Sequence, residues 1–245
     1  MSTAATSAAL EALPQATRAP LQALTEGLEK AVGQNLAALV VYGSAARGGY
    51  VPDESDIDVI VVLDDTSLPQ LHAIAEPLTQ ARYRARVEPM ILKRDNLAYA
   101  ADVFPLLYDD LRQKHVILSG TDVFAGLEIS DSHRRLRIEQ ELREARIRMR
   151  RAVVDALGSE ANIAGAVARK VKQIRSPLHA LLCLKGRTCD DGLAAVLADA
   201  GKAYGVDTGP LLRVAAEPEA AHTALRALLD AAIVDVDGMP DGPRS

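Results

Sequence analysis

Between residues 37 and 127, short continuous apolar runs are separated by turn residues and by amphipathic stretches. Such runs predict buried strands, whereas apolar residues at three- and four-residue steps predict helices. The predicted strands are residues 38–42, 57–63 and 85–92, with a further apolar segment at 115–118. The predicted helices are residues 68–80, 94–101 and 105–113, and an amphipathic helix begins near Pro20 after a loose start. This alternation is typical of a small α/β unit with a mixed sheet.

After residue 128 no period-two run survives, and helical spacing takes over. Ser130 or Asp131 is the expected N-cap of a long helix that reaches residue 157 and stops at Gly158. Later helices are predicted at residues 162–184, 192–204, 208–216 and 218–234, and residues 238–243 predict a frayed tail. The sequence therefore predicts an α/β domain over residues 1–128 and an all-α helical-bundle domain over residues 129–245.

A small-residue segment follows the first predicted strand directly. Gly43 has no Cβ, so backbone N–H groups near it can approach a phosphate closely, and the Ser44 hydroxyl adds a further donor. Arg47 lies three residues further on, within reach of the same anion. The segment is therefore a candidate triphosphate site.

Carboxylates follow this segment at strand spacing. Asp56 and Asp58 project from the same face of the second predicted strand, and carboxylate pairs of this kind suit Mg²⁺. Glu88 lies in the next strand-like run between apolar neighbours, where a Glu on the buried side is unexpected unless something ligates it. It is the candidate general base and third metal ligand. Pro89 predicts an edge strand or an early strand end, so whether Glu88 faces the aspartates stays open.

These residues resemble the signature of the nucleotidyltransferase fold of the DNA polymerase beta superfamily, particularly its small bacterial members. The resemblance covers about residues 37–128. It implies Mg²⁺-dependent transfer of a nucleoside monophosphate, with AMP from ATP as the first expectation, to a hydroxyl acceptor. It also implies a triphosphate site formed by Gly43, Ser44 and Arg47. The catalytic metal site would be formed by Asp56, Asp58 and Glu88.

Composition narrows the class of partner. A net charge of −5 and a pI near 5.6 disfavour non-specific nucleic-acid binding as the main task. Two cysteines are too few for a disulfide framework, and the sequence has neither a signal-peptide pattern nor an apolar span, which together predict a cytoplasmic protein. The acceptor is left open among a small molecule such as an aminoglycoside, a partner protein and tRNA, and a homo-oligomer is equally open. The alternative function is a catalytically weak or inactive nucleotide-binding regulatory protein of antitoxin type.

Arginines are concentrated in residues 133–151. One interpretation is a solvated helix with ion pairs at four-residue steps, such as Glu139 with Arg143 and Glu144 with Arg148. The other is a cationic face for the triphosphate or an anionic acceptor. Further along, a second set of polar residues is a candidate cleft lining: Lys170, Lys172, Arg175 and His179. His115 and His179 are expected to be structural.

Overall fold

The structure, a computed structural model, describes residues 3–187 and 190–239. Cys189 and residues 240–243 of the predicted tail lie outside this part of the chain. The chain divides into two compact units, with the principal boundary between Glu128 and Ile129. The short segment Phe104–Leu106 belongs to the second unit. That residues 1–128 and 129–245 fold as independent domains stays a prediction.

The first unit contains a four-stranded mixed sheet in the order β3-β2-β1-β4. Its strands are β1 (Leu36–Val41), β2 (Ile57–Leu63), β3 (Val87–Lys93) and β4 (Val116–Gly120). β1 is antiparallel to β2 and β4, whereas β2 is parallel to β3. β1 is buried throughout and β2 is buried except at Asp58, which explains their continuous apolar runs. β3 is an edge strand, as Pro89 predicted.

Two helices in the described part of this unit precede β1, and the others lie between consecutive strands. The helices before residue 128 are α1 (Thr3–Glu11), α2 (Gln15–Val32), α3 (Gly43–Arg47), α4 (Leu68–Ala85), α5 (Leu97–Val103) and α6 (Pro105–Gln113). The expected loose start was wrong, because α2 continues through Pro20. Burial of Leu21, Leu24 and Leu28 against β1 and β2 offsets the backbone hydrogen bond that Pro20 cannot make.

The second unit is helical over its described residues. Its helices are α7 (Asp131–Asp155), α8 (Glu160–Gln173), α9 (Arg175–Leu184), α10 (Leu193–Tyr204) and α11 (Pro218–Asp237). The Ser130 side chain accepts a hydrogen bond from the Ser132 N–H, which confirms the predicted cap of α7. Apolar residues of α7, α8, α9, α10 and α11 form one core.

Two helix predictions in this unit were wrong. Residues 162–184 form two helices that divide at Ile174, because Pro177 has no N–H to donate to the carbonyl of Gln173. Residues 208–216 contain only a 3-10 turn, Gly209–Leu212. Within residues 3–187 and 190–239, no helix combines the length and apolar character needed to cross a bilayer.

Candidate active site

The candidate site begins where β1 ends. Gly43 has a φ of +68°, a left-handed conformation that favours glycine, and starts the single-turn helix α3. A Cβ built at Gly43 would lie 2.2 Å from Oδ2 of Asp58. α3 ends at Arg47 with Gly48 as its left-handed C-cap, so the segment predicted as a turn is a short helix. Both backbone conformation and the neighbouring carboxylate therefore require glycine at position 43.

Asp58 lies beside this turn because of the pairing of β1 with β2. Val41 pairs with Val59, and the Tyr42 N–H donates to the Asp58 carbonyl at 3.1 Å, which extends the ladder by one step. Burial, together with the negative charge of Asp56, raises the pKa of Asp58 to about 6. The positive charge of Arg47 lowers the pKa of Asp58. The carboxylates of Asp56 and Asp58 thus form a negatively charged cluster beside Gly43, which has no Cβ.

Glu88 lies in register with Asp58 across the parallel pair β2 and β3. Residues paired in this way project from the same face of a sheet, and the charge of Glu88 contributes to the raised pKa of Asp58. The expectation that Glu88 is on the buried side was wrong, since its side chain is 46% exposed. An edge strand leaves this face open to solvent. Nη2 of Arg82 lies 3.2 Å from each carboxylate oxygen of Glu88.

Asp56 also has an arginine partner. Nε and Nη2 of Arg86 each lie 2.8 Å from Oδ1 of Asp56. Both residues are about half exposed. Arg86 precedes β3 by one residue, so Asp56 and Arg86 continue the register that pairs Ile57 with Val87.

The three predicted metal ligands therefore share one sheet face, but their side chains do not meet at one point. Across the described ranges, no three His, Cys, Asp or Glu side chains are arranged as ligands of one ion. The donor chemistry nevertheless fits Mg²⁺, because carboxylate oxygens are its preferred protein ligands. A cation would also stabilise the charged form of Asp58, whose pKa is raised by burial and by the charge of Asp56.

One neighbour of the site was not predicted from the sequence. Nη1 of Arg47 lies 3.6 Å from Oδ2 of Asp110, a residue of α6, and both side chains are largely buried. Burial raises the pKa of Tyr42 to about 12, and the charges of Asp58 and Asp110 act in the same direction. No motif in the sequence marks Asp110, since its position beside Arg47 depends on how α6 packs.

The arginines of α7 are largely engaged in ion pairs. Nε of Arg143 lies 2.7 Å from Oε1 of Glu139, and Arg148 contacts Glu144, as the four-residue spacing predicted. Arg146 contacts Asp230 of α11 at 3.0 Å. These contacts favour the interpretation of α7 as a solvated helix with ion pairs.

Charge reversal at Arg143 tests that interpretation. The change Arg143→Glu is expected to lower the melting temperature, since the new carboxylate would face Glu139 and Asp237, and to change ATP affinity by less than about two-fold. Arg150→Glu, at an exposed position of the same helix, is the matched control and should have a smaller effect on melting. Thermal melting and ATP titration calorimetry check both variants. A large loss of ATP affinity confined to Arg143→Glu would instead assign α7 to nucleotide binding.

The polar set proposed as a cleft lining in the second unit is not one surface. Arg175 and His179 are buried, and Nη1 of Arg175 donates to the Asp191 carbonyl at 3.0 Å. Nε2 of His179 lies 3.7 Å from Sγ of Cys183, which agrees with a structural role. Lys170 lines a polar groove of about 280 Å³ between α7, α8 and α9, where its Nζ donates to Gln173 at 2.6 Å.

The comparisons with known proteins agree with this geometry. An α/β unit with acidic side chains on neighbouring strands, beside a glycine turn, defines a class of enzymes that handle nucleotides. The family model of the nucleotidyltransferase domain matches residues 24–148, slightly more than half of the chain. The chain therefore belongs to the nucleotidyltransferase domain family and is a nucleotidyltransferase enzyme. A search of curated protein sequences gives no significant match.

Among solved structures, nine chains match the fold. One is a spectinomycin adenyltransferase from Enterococcus faecialis, determined with ATP and spectinomycin. It aligns with a TM-score of 0.51 and 13% identity over 89% of this chain and 98% of its own. At this identity the match shows the fold, which confirms the predicted α/β nucleotidyltransferase unit followed by a helical region.

Proposed function

We propose that the protein transfers AMP from ATP to a hydroxyl group of a small-molecule acceptor, with Mg²⁺. The observation that carries the proposal is the Gly43 turn against the Asp58 carboxylate, with Glu88 in register on the neighbouring strand. The turn suits a phosphate group, and the carboxylates suit a divalent cation. Together they match the requirements of nucleotidyl transfer.

In this proposal the turn binds the triphosphate. Backbone N–H groups at Gly43 and Ser44 and the Ser44 hydroxyl would hold the β- and γ-phosphates, because no Cβ at position 43 obstructs their approach. Arg47 would add a positive charge to the same anion. Its contact with Asp110 restricts the rotamers of its side chain and so reduces the entropy lost on binding.

Asp56 and Asp58 would hold Mg²⁺, with Glu88 as a third ligand. When bound, the ion supplies a positive charge that neutralises the triphosphate and the departing pyrophosphate. The raised pKa of Asp58 supports this assignment, since burial and the neighbouring carboxylates both disfavour its negative charge and a cation would offset both effects.

Glu88 would also act as the general base. The acceptor oxygen forms a bond to the α-phosphorus of ATP, the bond from that phosphorus to the pyrophosphate oxygen breaks, and Glu88 accepts the acceptor proton. Arg82 is a competing partner of Glu88, because its Nη2 lies 3.2 Å from both oxygens. For this role the Glu88 side chain must exchange Arg82 for the acceptor hydroxyl, which its 46% exposure permits.

A small-molecule acceptor is supported by two observations. The spectinomycin adenyltransferase matches this fold over 89% of the chain, which includes much of the helical half as well as the sheet. The net charge of −5 disfavours a long tRNA footprint, whose affinity would depend on neutralised phosphates. An acceptor screen that includes tRNA and protein tests the two other acceptor classes.

A second candidate function is nucleotide binding without turnover, in a regulatory protein of antitoxin type. The contacts of Asp56 with Arg86 and of Glu88 with Arg82 favour it, because a carboxylate neutralised by arginine has less need of a cation. ATP binding would then proceed without pyrophosphate release.

An acceptor screen distinguishes the two functions. The protein, Mg²⁺ and ATP are incubated with aminocyclitols, other polyhydroxylated small molecules, tRNA and cellular protein, and products are analysed by mass spectrometry. We expect pyrophosphate release and a mass increase of one AMP on a small molecule. The same addition on tRNA or protein would overturn the acceptor assignment. ATP binding without pyrophosphate release in any mixture would favour the regulatory function.

A further inference from the structure

Arg86 joins two elements of the candidate site through its backbone. It follows α4 in a left-handed conformation with a φ of +53°, and its N–H donates to the Arg82 carbonyl at 3.0 Å. Its own carbonyl accepts from the Ile57 N–H at 3.0 Å. The position of Arg86 is therefore fixed relative to the first residue of β2.

The Arg86 side chain contacts the segment that carries Asp56. Besides its two contacts with Oδ1 of Asp56, Nη1 donates to the Asp53 carbonyl at 2.7 Å, and Nη2 lies 3.5 Å from the Glu54 carbonyl. Asp53 is itself left-handed, with a φ of +66°. A planar guanidinium with several fixed donors suits such a set of acceptors, whereas a lysine ammonium does not.

We propose that Arg86 is a positioning residue that orients the Asp56 carboxylate for the metal. The inference rests on the proposed function, since it assumes that Asp56 is a metal ligand. Both guanidinium contacts are made to Oδ1 of Asp56, so Oδ2 is the oxygen assigned to the cation. The contacts with the carbonyls of Asp53 and Glu54 fix the segment before β2, and the carboxylate then loses less conformational entropy on binding.

An electrostatic role and a positioning role of Arg86 predict opposite changes in cation affinity when Arg86 is replaced. A guanidinium beside Asp56 repels a divalent cation, so removal of its charge alone would strengthen cation binding. Loss of orientation would weaken cation binding, because Asp56 would have to be ordered by the cation itself. The direction of the change in affinity therefore identifies the role.

The test uses Mn²⁺ as the probe and the nucleotide-free full-length protein. Calorimetry is expected to show roughly ten-fold weaker Mn²⁺ binding for Arg86→Gln. Arg86→Lys keeps the charge but loses the planar fork, and should be weakened by a similar factor. Arg84→Gln is the matched control, since it removes the same charge from an exposed position near the end of α4. It should bind Mn²⁺ like the wild type.

Steady-state kinetics provide an independent measurement. A positioning role raises the KM for Mg²⁺ in Arg86→Gln and lets excess Mg²⁺ restore kcat, whereas partial misfolding lowers kcat and leaves KM unchanged. If Arg86→Gln does not fold, Arg86→Lys decides the question.

The outcomes separate this inference from the proposed function. Mn²⁺ binding by Arg86→Gln that is equal to or tighter than wild type overturns the positioning role, while an active wild type would leave the proposed function intact. A wild type that binds no Mn²⁺ and releases no pyrophosphate overturns both. Weaker binding by both Arg86 variants, with Arg84→Gln unchanged, supports the inference.

Discussion

Asp58→Asn is expected to lower nucleotidyl transfer by roughly 1000-fold and, in the same protein without metal, to increase folding stability. The loss of activity follows from the proposed role of Asp58 as a metal ligand. The gain in stability follows from burial of a carboxylate beside Asp56 and Glu88. If Asp58 served only the fold, its substitution would lower both the activity and the stability of the protein.

The sign of the stability change depends on pH. The pKa of Asp58 is raised from 3.8 to about 6, so the folded state holds this proton more tightly than the unfolded state. The destabilising effect is therefore absent below pH 3.8, grows as the pH rises, and is complete above about pH 6. Above that pH, Asp58→Asn should gain about 1 to 3 kcal/mol, with some discount for partial solvent access.

Chemical denaturation at pH 8 and pH 4, with EDTA present, measures this difference. Asp58→Asn should be more stable than the wild type at pH 8 and close to it at pH 4. Addition of Mg²⁺ and ATP should then stabilise the wild type but not the variant, because a ligand stabilises only the state that binds it. Unchanged turnover in Asp58→Asn would contradict the proposed mechanism, and equal stability at pH 8 would contradict the raised pKa.

The parts of the fold that were predictable from sequence are those with a local cause. β2 lies in the interior of the sheet, so six of its seven residues are buried and the run is apolar in the sequence. Asp58 interrupts that run, which made it recognisable as a residue with a special role. Pro89 similarly identified an edge strand, because its missing N–H cannot serve a central strand.

The parts that were not predictable depend on contacts between distant residues. Asp56 and Arg86 are 30 residues apart, and nothing in the sequence links them before β2 and β3 are paired. The burial expected of Glu88 was inferred from its apolar neighbours, but in the edge strand β3 only Val87 is buried. The contact of Arg47 with Asp110 depends on the packing of α6 and has no local pattern. Sequence therefore identified candidate residues but not their ionic partners.

Gly43→Ala is expected to impair both folding and activity, and Gly48→Ala is its matched control. Both glycines are left-handed, with φ values of +68° and +84°, so both substitutions carry a similar backbone cost of about 1 kcal/mol. They differ in their surroundings. A Cβ at Gly43 meets Oδ2 of Asp58 at 2.2 Å, whereas a Cβ at Gly48 has no heavy atom within 4 Å among the described residues.

The difference between the two variants isolates the contact with Asp58. Displacement of the carboxylate adds a packing penalty, so Gly43→Ala should lose about 2 to 4 kcal/mol of stability in total. It should also lose most nucleotidyl transfer, because the added methyl group displaces a proposed metal ligand and obstructs the phosphate. Gly48→Ala should retain most of its activity. Denaturation curves and pyrophosphate release measure the two effects.

A double-mutant cycle with Asp58→Ala measures the coupling between positions 43 and 58. Removal of the carboxylate eliminates the two closest contacts of the new methyl group and leaves Cβ of residue 58 at 3.3 Å from the position that a Cβ takes at Gly43. The penalty of Gly43→Ala should then fall toward that of Gly48→Ala, and the two sites should show a coupling energy of at least about 1 kcal/mol. Additive effects would mean that the carboxylate moves aside at little cost, and the requirement for glycine at position 43 would then rest on backbone conformation alone.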